Sequence, residues 1–174
     1  MVAILRVVGP PGSGKTLLIV SLAEALRSRG HRVATVVERR SGGNEAATVI
    51  VLSNGGRVTI EQPLTLDRLR ALVPTLDPSA AILLAEGYDD DAADAAFPAI
   101  ALAPRGSARS ASQSAGALAV VATEDIEATF ARAGPGETNG LVDLVEREVL
   151  GLTPRAARRG WRGLLTRLRA GRRP

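Results

Sequence analysis

One stretch, Gly9-Pro10-Pro11-Gly12-Ser13-Gly14-Lys15-Thr16, constrains this chain more than any other. It fits G-x-x-x-x-G-K-[ST] in full, and that pattern needs a strand before it and a helix after it. Both are predicted. Val2 to Val8 is an apolar run interrupted only by Arg6, which reads as a buried strand. Beyond the glycines, Leu18, Leu22, Ala25 and Leu26 recur at helical spacing, and Gly30 supplies a stop. His31 to Glu38 reads as a second strand, with His31 capping the helix or facing water. The opening 38 residues therefore predict a βαβ unit with parallel pairing and a right-handed crossover.

The chemistry of the loop follows from its residue types. Glycines let main-chain N–H groups turn inward and line a nest for phosphate oxygens. The helix that starts near Lys15 adds its positive dipole end. Of 22 basic residues, 21 are Arg, and the single Lys is Lys15. Everywhere else this chain uses guanidinium for positive charge. Here a compact ammonium on a flexible stem is required, placed to reach the β- and γ-phosphates. Thr16 would turn its hydroxyl to Mg²⁺. The expected phosphate-binding set is Gly9, Pro10, Gly12, Ser13, Gly14, Lys15, Thr16 and Leu17. The loop alone is silent on adenine versus guanine.

The rest of the chain reads as alternating strands and helices. Thr48 to Ile60 predicts a hairpin turning at Asn54-Gly55. Leu64 to Leu76 predicts a short amphipathic helix capped by Thr65, with Pro74 near its end. Ala80 to Glu86 predicts a buried strand, 97–104 another, and 117–123 a last core strand. Two helices are expected over 125–134 and 141–152, and a polar surface loop over 105–116. No internal repeat is present. The fold class is α/β, three layers around a mostly parallel sheet with a β-hairpin insertion.

Ligands of open α/β sheets bind at the carboxyl ends of the strands, and Glu86 is placed there. It is the candidate metal-side and catalytic carboxylate, with Thr16 as its metal partner and Lys15 as the second catalytic residue. Gly87 allows close backbone approach. The adjacent Asp89, Asp90 and Asp91 read as a solvated acidic loop, because three neighbouring acids rarely converge on one ion. Arg39, Arg40 and Arg57 read as solvated surface by default, with the lining of a substrate cleft as the alternative.

Composition removes whole classes of function. There is no Cys and one His, so disulfides, thiolate chemistry and histidine metal clusters are excluded. The aromatic residues are Tyr88, Phe97, Phe130 and Trp161, too few for a stacking platform, which disfavours nucleic acid. No apolar run reaches the roughly 20 residues that span a bilayer, and a cytoplasmic location is expected. Residues 153–174 hold eight Arg and no acid, so the remaining 14 bases and 18 acids give a domain of net charge −4. The expected division is a nucleotide-binding domain over 1–152 and an Arg-rich tail over 153–174. Trp161, Leu164, Leu165 and Leu168 would share one helical face of that tail. Such a tail fits an acidic partner, an anionic membrane surface, or docking on its own domain.

The segments VVGPPGSGKTLLIVSLAEALRSRGHRVATV, AILLAEGYDDD with FPAIAL, and ALAVVATEDI together resemble the MobB family of P-loop NTPases, the molybdopterin-guanine dinucleotide biosynthesis adaptor proteins. Glu86-Gly87-Tyr88 and Pro98-Ala99-Ile100 carry the more specific part of that resemblance. It implies a weak, usually dimeric GTPase that uses GTP and Mg²⁺. It also implies assistance to the guanylyltransferase that attaches GMP to molybdopterin. Gly12, Gly14, Lys15 and Thr16 would bind GTP and Mg²⁺, with Glu86 on the metal side. This chain departs from the family in having VVERRSGG where a Lys/His-rich segment is common. Asp89 and Ala99 stand where Lys is common. These departures weigh against an anionic pterin ligand and leave the phosphate loop untouched. A small-molecule kinase and a nucleotide-switched scaffold with a basic docking tail are the alternatives.

Overall fold

The computed structural model describes residues 1–40, 47–54, 56–88, 94–104, 117–126 and 140–152. The strands are β1 (Ala3–Val8), β2 (Val33–Arg40), β3 (Ala47–Ser53), β4 (Gly56–Ile60), β5 (Ile82–Glu86), β6 (Ala99–Ala103) and β7 (Ala119–Ala122). The helices among the described residues are α1 (Lys15–Ser28), α2 (Leu66–Leu76) and α3 (Gly140–Glu148). All seven strands form one sheet in the order β4-β3-β2-β5-β1-β6-β7. Neighbours from β2 to β7 along that order run parallel, and the β3–β4 hairpin adds two antiparallel strands at the edge.

Side chains alternate across each strand, and the two resulting faces are covered separately. Leu5, Val7, Leu84, Ile100 and Leu102 pack with Leu18, Leu22 and Leu26 of α1 and with Leu141, Val142 and Val145 of α3. The intervening residues Val2, Ile4, Val36, Leu83 and Ala85 pack on the other face with Leu66, Leu69 and Val73 of α2. The central strands are thus apolar on both sides, as parallel strands between helix layers must be. Thr65 caps α2 by accepting from the Arg68 N–H at 3.4 Å, and Pro74 lies inside its last turn, as its sequence predicts.

Four expectations need correction or limits. β1 and β2 are parallel but do not pair, because β5 lies between them and bonds to both. A 3-10 turn, Thr123–Asp125, leads into the helix expected from Asp125: Ile126 is already α-helical, and residues 127–134 lie outside the described residues. The His31 side chain neither caps α1 nor faces open water. Its Nε2 lies 2.8 Å from Glu146 Oε1 on α3. Arg29, two residues earlier, meets Asp143 and Glu146 at 2.7 Å each, so the end of α1 is bolted to α3. Burial alone would raise the Glu146 carboxyl, but hydrogen bonds from His31 and Arg29 hold it below its ordinary value. Arg39 and Arg57 are exposed, in line with solvated surface. The Asp89–Asp91 run, the 105–116 loop, the hairpin-tip Gly55 and the 153–174 tail lie outside the described residues.

Candidate functional site

The site is assembled where β1 ends. Gly9 follows the last residue of β1, and the chain turns through residues 10–14 before α1 begins at Lys15. Gly14 is the N-cap of α1, with φ 90° and no side-chain cap. A Cβ on Gly14 would lie 2.7 Å from Ile126 Cδ1, the free end of a side chain that can turn aside, so it is the backbone angle that reserves this position for glycine. The Leu18 N–H bonds back to Gly14 O at 2.9 Å. The N–H groups of Lys15, Thr16 and Leu17 therefore precede the helical ladder, at the positive end of the α1 dipole.

Each loop residue has a place in this geometry. Pro10 has no N–H, and its carbonyl accepts from the Ser13 N–H at 3.2 Å. Lys15 Nζ folds over the loop and donates to Gly9 O at 2.5 Å and Pro10 O at 3.2 Å. An ammonium held over a ring of main-chain groups is the arrangement that a phosphate can enter. Ser13 is buried, and its Oγ has no hydrogen-bond partner among the described residues. A buried hydroxyl left this way is costly, and a phosphate oxygen would satisfy it. The Leu17 side chain is exposed, so only its main chain belongs to the loop.

Glu86 comes to this loop from far along the chain. It is the last residue of β5, in register with Val7 of β1 and Val37 of β2. The Thr16 hydroxyl donates to its carboxylate, with Oε1 at 2.9 Å and Oε2 at 2.8 Å. A hydroxyl has one proton and two lone pairs. With the proton held by Glu86, the lone pairs of the Thr16 hydroxyl are the atoms a cation beside phosphate would use. No group of three or more His, Cys, Asp or Glu gathers to hold a metal among the described residues. Mg²⁺ keeps several waters and takes one or two protein ligands plus phosphate oxygens, and the Thr16 hydroxyl is the kind of ligand it would use.

The sequence did not single out three buried polar residues, Arg6, Glu38 and Asp94. Asp94 Oδ1 accepts from the Leu66 N–H that opens α2, at 3.1 Å. The signal for Arg6 was present, as the one charge in an otherwise apolar strand. Glu38 and Asp94 look like ordinary element ends, and no local pattern marks them as buried.

A glycine loop between β1 and α1, with a strand-end carboxylate on the helix's first hydroxyl, gives this chain the α/β fold of a P-loop NTPase. Within that class the fold is the one seen in MobB. The structure of Bacillus subtilis MobB is 21% identical, covering 86% of this chain and 99% of that chain, with a TM-score of 0.54. A further crystal structure of the Bacillus subtilis protein gives 20% identity, the same coverage and a TM-score of 0.55. A MobB homolog from Bacillus stearothermophilus is 27% identical over 68% of this chain and 77% of that chain, with a TM-score of 0.43. No protein-family model and no curated protein matches the chain. Among the described residues no helix is long and apolar enough to cross a membrane.

Proposed function

We propose that this chain binds a guanine nucleotide with Mg²⁺ at the Gly9–Thr16 loop. In this reading it acts as an accessory protein in making the molybdopterin-guanine dinucleotide. The observation that carries the site is the Thr16–Glu86 pair, a hydroxyl and a carboxylate 70 positions apart joined at the mouth of the loop. The fold shared with MobB supports the biological role.

In this reading Gly9, Gly12, Ser13 and Gly14 shape the nest, and the main chain of Lys15, Thr16 and Leu17 completes it. Lys15 leaves the carbonyls of Gly9 and Pro10 for the β- and γ-phosphates. Thr16 offers a lone pair to the metal while Glu86 keeps its proton and orients a metal-bound or attacking water. Bound Mg²⁺ would neutralise charge on the phosphates during slow hydrolysis. The chain would work as a homodimer in the cytoplasm, alongside the guanylyltransferase that adds GMP to molybdopterin. The Arg-rich tail over 153–174 would dock on an acidic partner.

The test is displacement of a fluorescent nucleotide by GTP and by ATP, with Mg²⁺ and with chelator. GTP should compete at least tenfold better. Equal competition by ATP would remove the guanine assignment. Lys15→Ala should abolish binding, and retention at the unaltered strength would defeat the loop assignment. Glu86→Gln should bind nucleotide yet turn it over about tenfold or more slowly, as loss of an orienting base does. Unchanged turnover would take Glu86 out of the chemistry.

A further inference from the structure

Arg6 is 3% exposed in the middle of β1. A guanidinium cannot shed its charge, so burying it in a strand is costly unless its donors are answered. Strand β1 would pair equally well with Val or Ile at this point. Arg6 instead spends its planar fork on main-chain oxygens from two separate segments. Nη1 donates to Tyr88 O at 3.2 Å, Nε to Phe97 O at 3.2 Å, and Nη2 to Ala95 O at 3.5 Å. Its own N–H bonds Pro98 O at 2.9 Å. Ala85 lies beside it in register on β5, and its small side chain leaves room for the fork.

Those carbonyls have a shared meaning. Tyr88 lies two residues beyond Glu86, at the exit of β5, while 95–98 leads into β6. β1 separates those two strands in the sheet. Arg6 therefore ties the exit of one strand to the entry of the other across the strand between. The same corner is pinned on its far side. Gly87 has φ 96°, and a Cβ there would lie 2.5 Å from Glu38 O on β2. A corner held on both flanks leaves Glu86 little freedom in how far it stands from Thr16.

We propose that Arg6 is a positioning residue for Glu86: its guanidinium fixes the Tyr88 carbonyl and the 95–97 carbonyls, and so sets the carboxylate against the Thr16 hydroxyl for the metal. This rests on the nucleotide reading above. Arg6 touches neither phosphate nor metal in this arrangement. It acts through the main chain at Tyr88.

The test compares the unaltered chain with Arg6→Lys. The variant keeps the charge but has one compact ammonium, which cannot span carbonyls on two segments. Nucleotide affinity with chelator should stay within about twofold. The Mg²⁺ concentration giving half-maximal tightening should rise about tenfold, the loss typical when a residue behind a metal ligand is removed. A residue that merely stabilises the fold would lower the melting temperature and leave that Mg²⁺ midpoint in place, and this result would overturn the proposal. A second measurement needs no substitution. Buried arginine N–H signals of the unaltered chain are followed by NMR. The Arg6 signals should shift when Mg²⁺ is added to the nucleotide complex, beyond any shift from nucleotide alone. Signals indifferent to Mg²⁺ would also overturn it. If the unaltered chain binds no nucleotide, the proposed function falls and this inference falls with it. Nucleotide binding without the Arg6 effects removes only the positioning role.

Discussion

Gly87 and Gly30 offer a controlled experiment within one chain. Their backbones are nearly alike, with φ 96° and φ 91°. Their surroundings are opposite: a Cβ on Gly30 meets nothing within 4 Å, whereas one on Gly87 would stand 2.5 Å from Glu38 O. Gly30→Ala therefore carries the left-handed backbone cost alone, about 1 kcal/mol. Gly87→Ala carries the same cost and a clash with a main-chain oxygen in a buried sheet. That neighbour cannot swing away, and overpacking of this kind adds about 2 kcal/mol. The expected losses are thus about 1 and about 3 kcal/mol. Urea unfolding measures both, and at a slope of about 2 kcal/mol/M the two midpoints should differ by about 1 M. Equal midpoints would mean that β2 and the β5 corner are not in the close contact described. The Glu86 corner would then have no support from that flank.

Other outcomes follow from the same structure. Glu146 has a folded carboxyl value below its ordinary 4.5. A depressed acid stabilises above its unfolded value and loses that contribution as pH falls through the folded one. The unaltered chain should therefore exceed Glu146→Gln in stability by about 1 kcal/mol at pH 7, the scale of a partly exposed ion pair. That margin should hold down to the ordinary value and shrink below it, and a margin independent of pH down to 3 would contradict the lock between α1 and α3. Leu22 is fully buried under the sheet, so Leu22→Ala should cost about 3 kcal/mol in the same assay. Leu17→Ala, on the exposed face of the same helix, should change stability by less than about 0.5 kcal/mol.

Much of the fold was legible because its signals are local. The strand, glycine loop and α1 fall within 30 consecutive residues, and each is written in spacing or in residue type. The hairpin and the Thr65 cap are likewise short-range devices. Glu86 was singled out because an apolar run stops at an acid, and ligands of open α/β sheets bind at the carboxyl ends of the strands. His31 was misread because its partner lies 115 positions away on a helix whose placement no periodicity reports. Arg6 was noticed only as an interruption. Its purpose depends on which strands flank β1, and Tyr88 lies 82 positions along the chain from it.

The amino-acid sequence by itself determined that this chain carries a glycine loop between a strand and a helix, which lysine stands over that loop, and which residues alternate toward a core. Those properties arise within a few neighbouring residues, where backbone angles and side-chain period decide the outcome. Only the tertiary structure decided that β5 slots between β1 and β2. That single insertion carries Glu86 to Thr16 and Tyr88 to Arg6. Sheet order comes from long-range packing of two apolar faces against two helix layers, and no short window of sequence contains it.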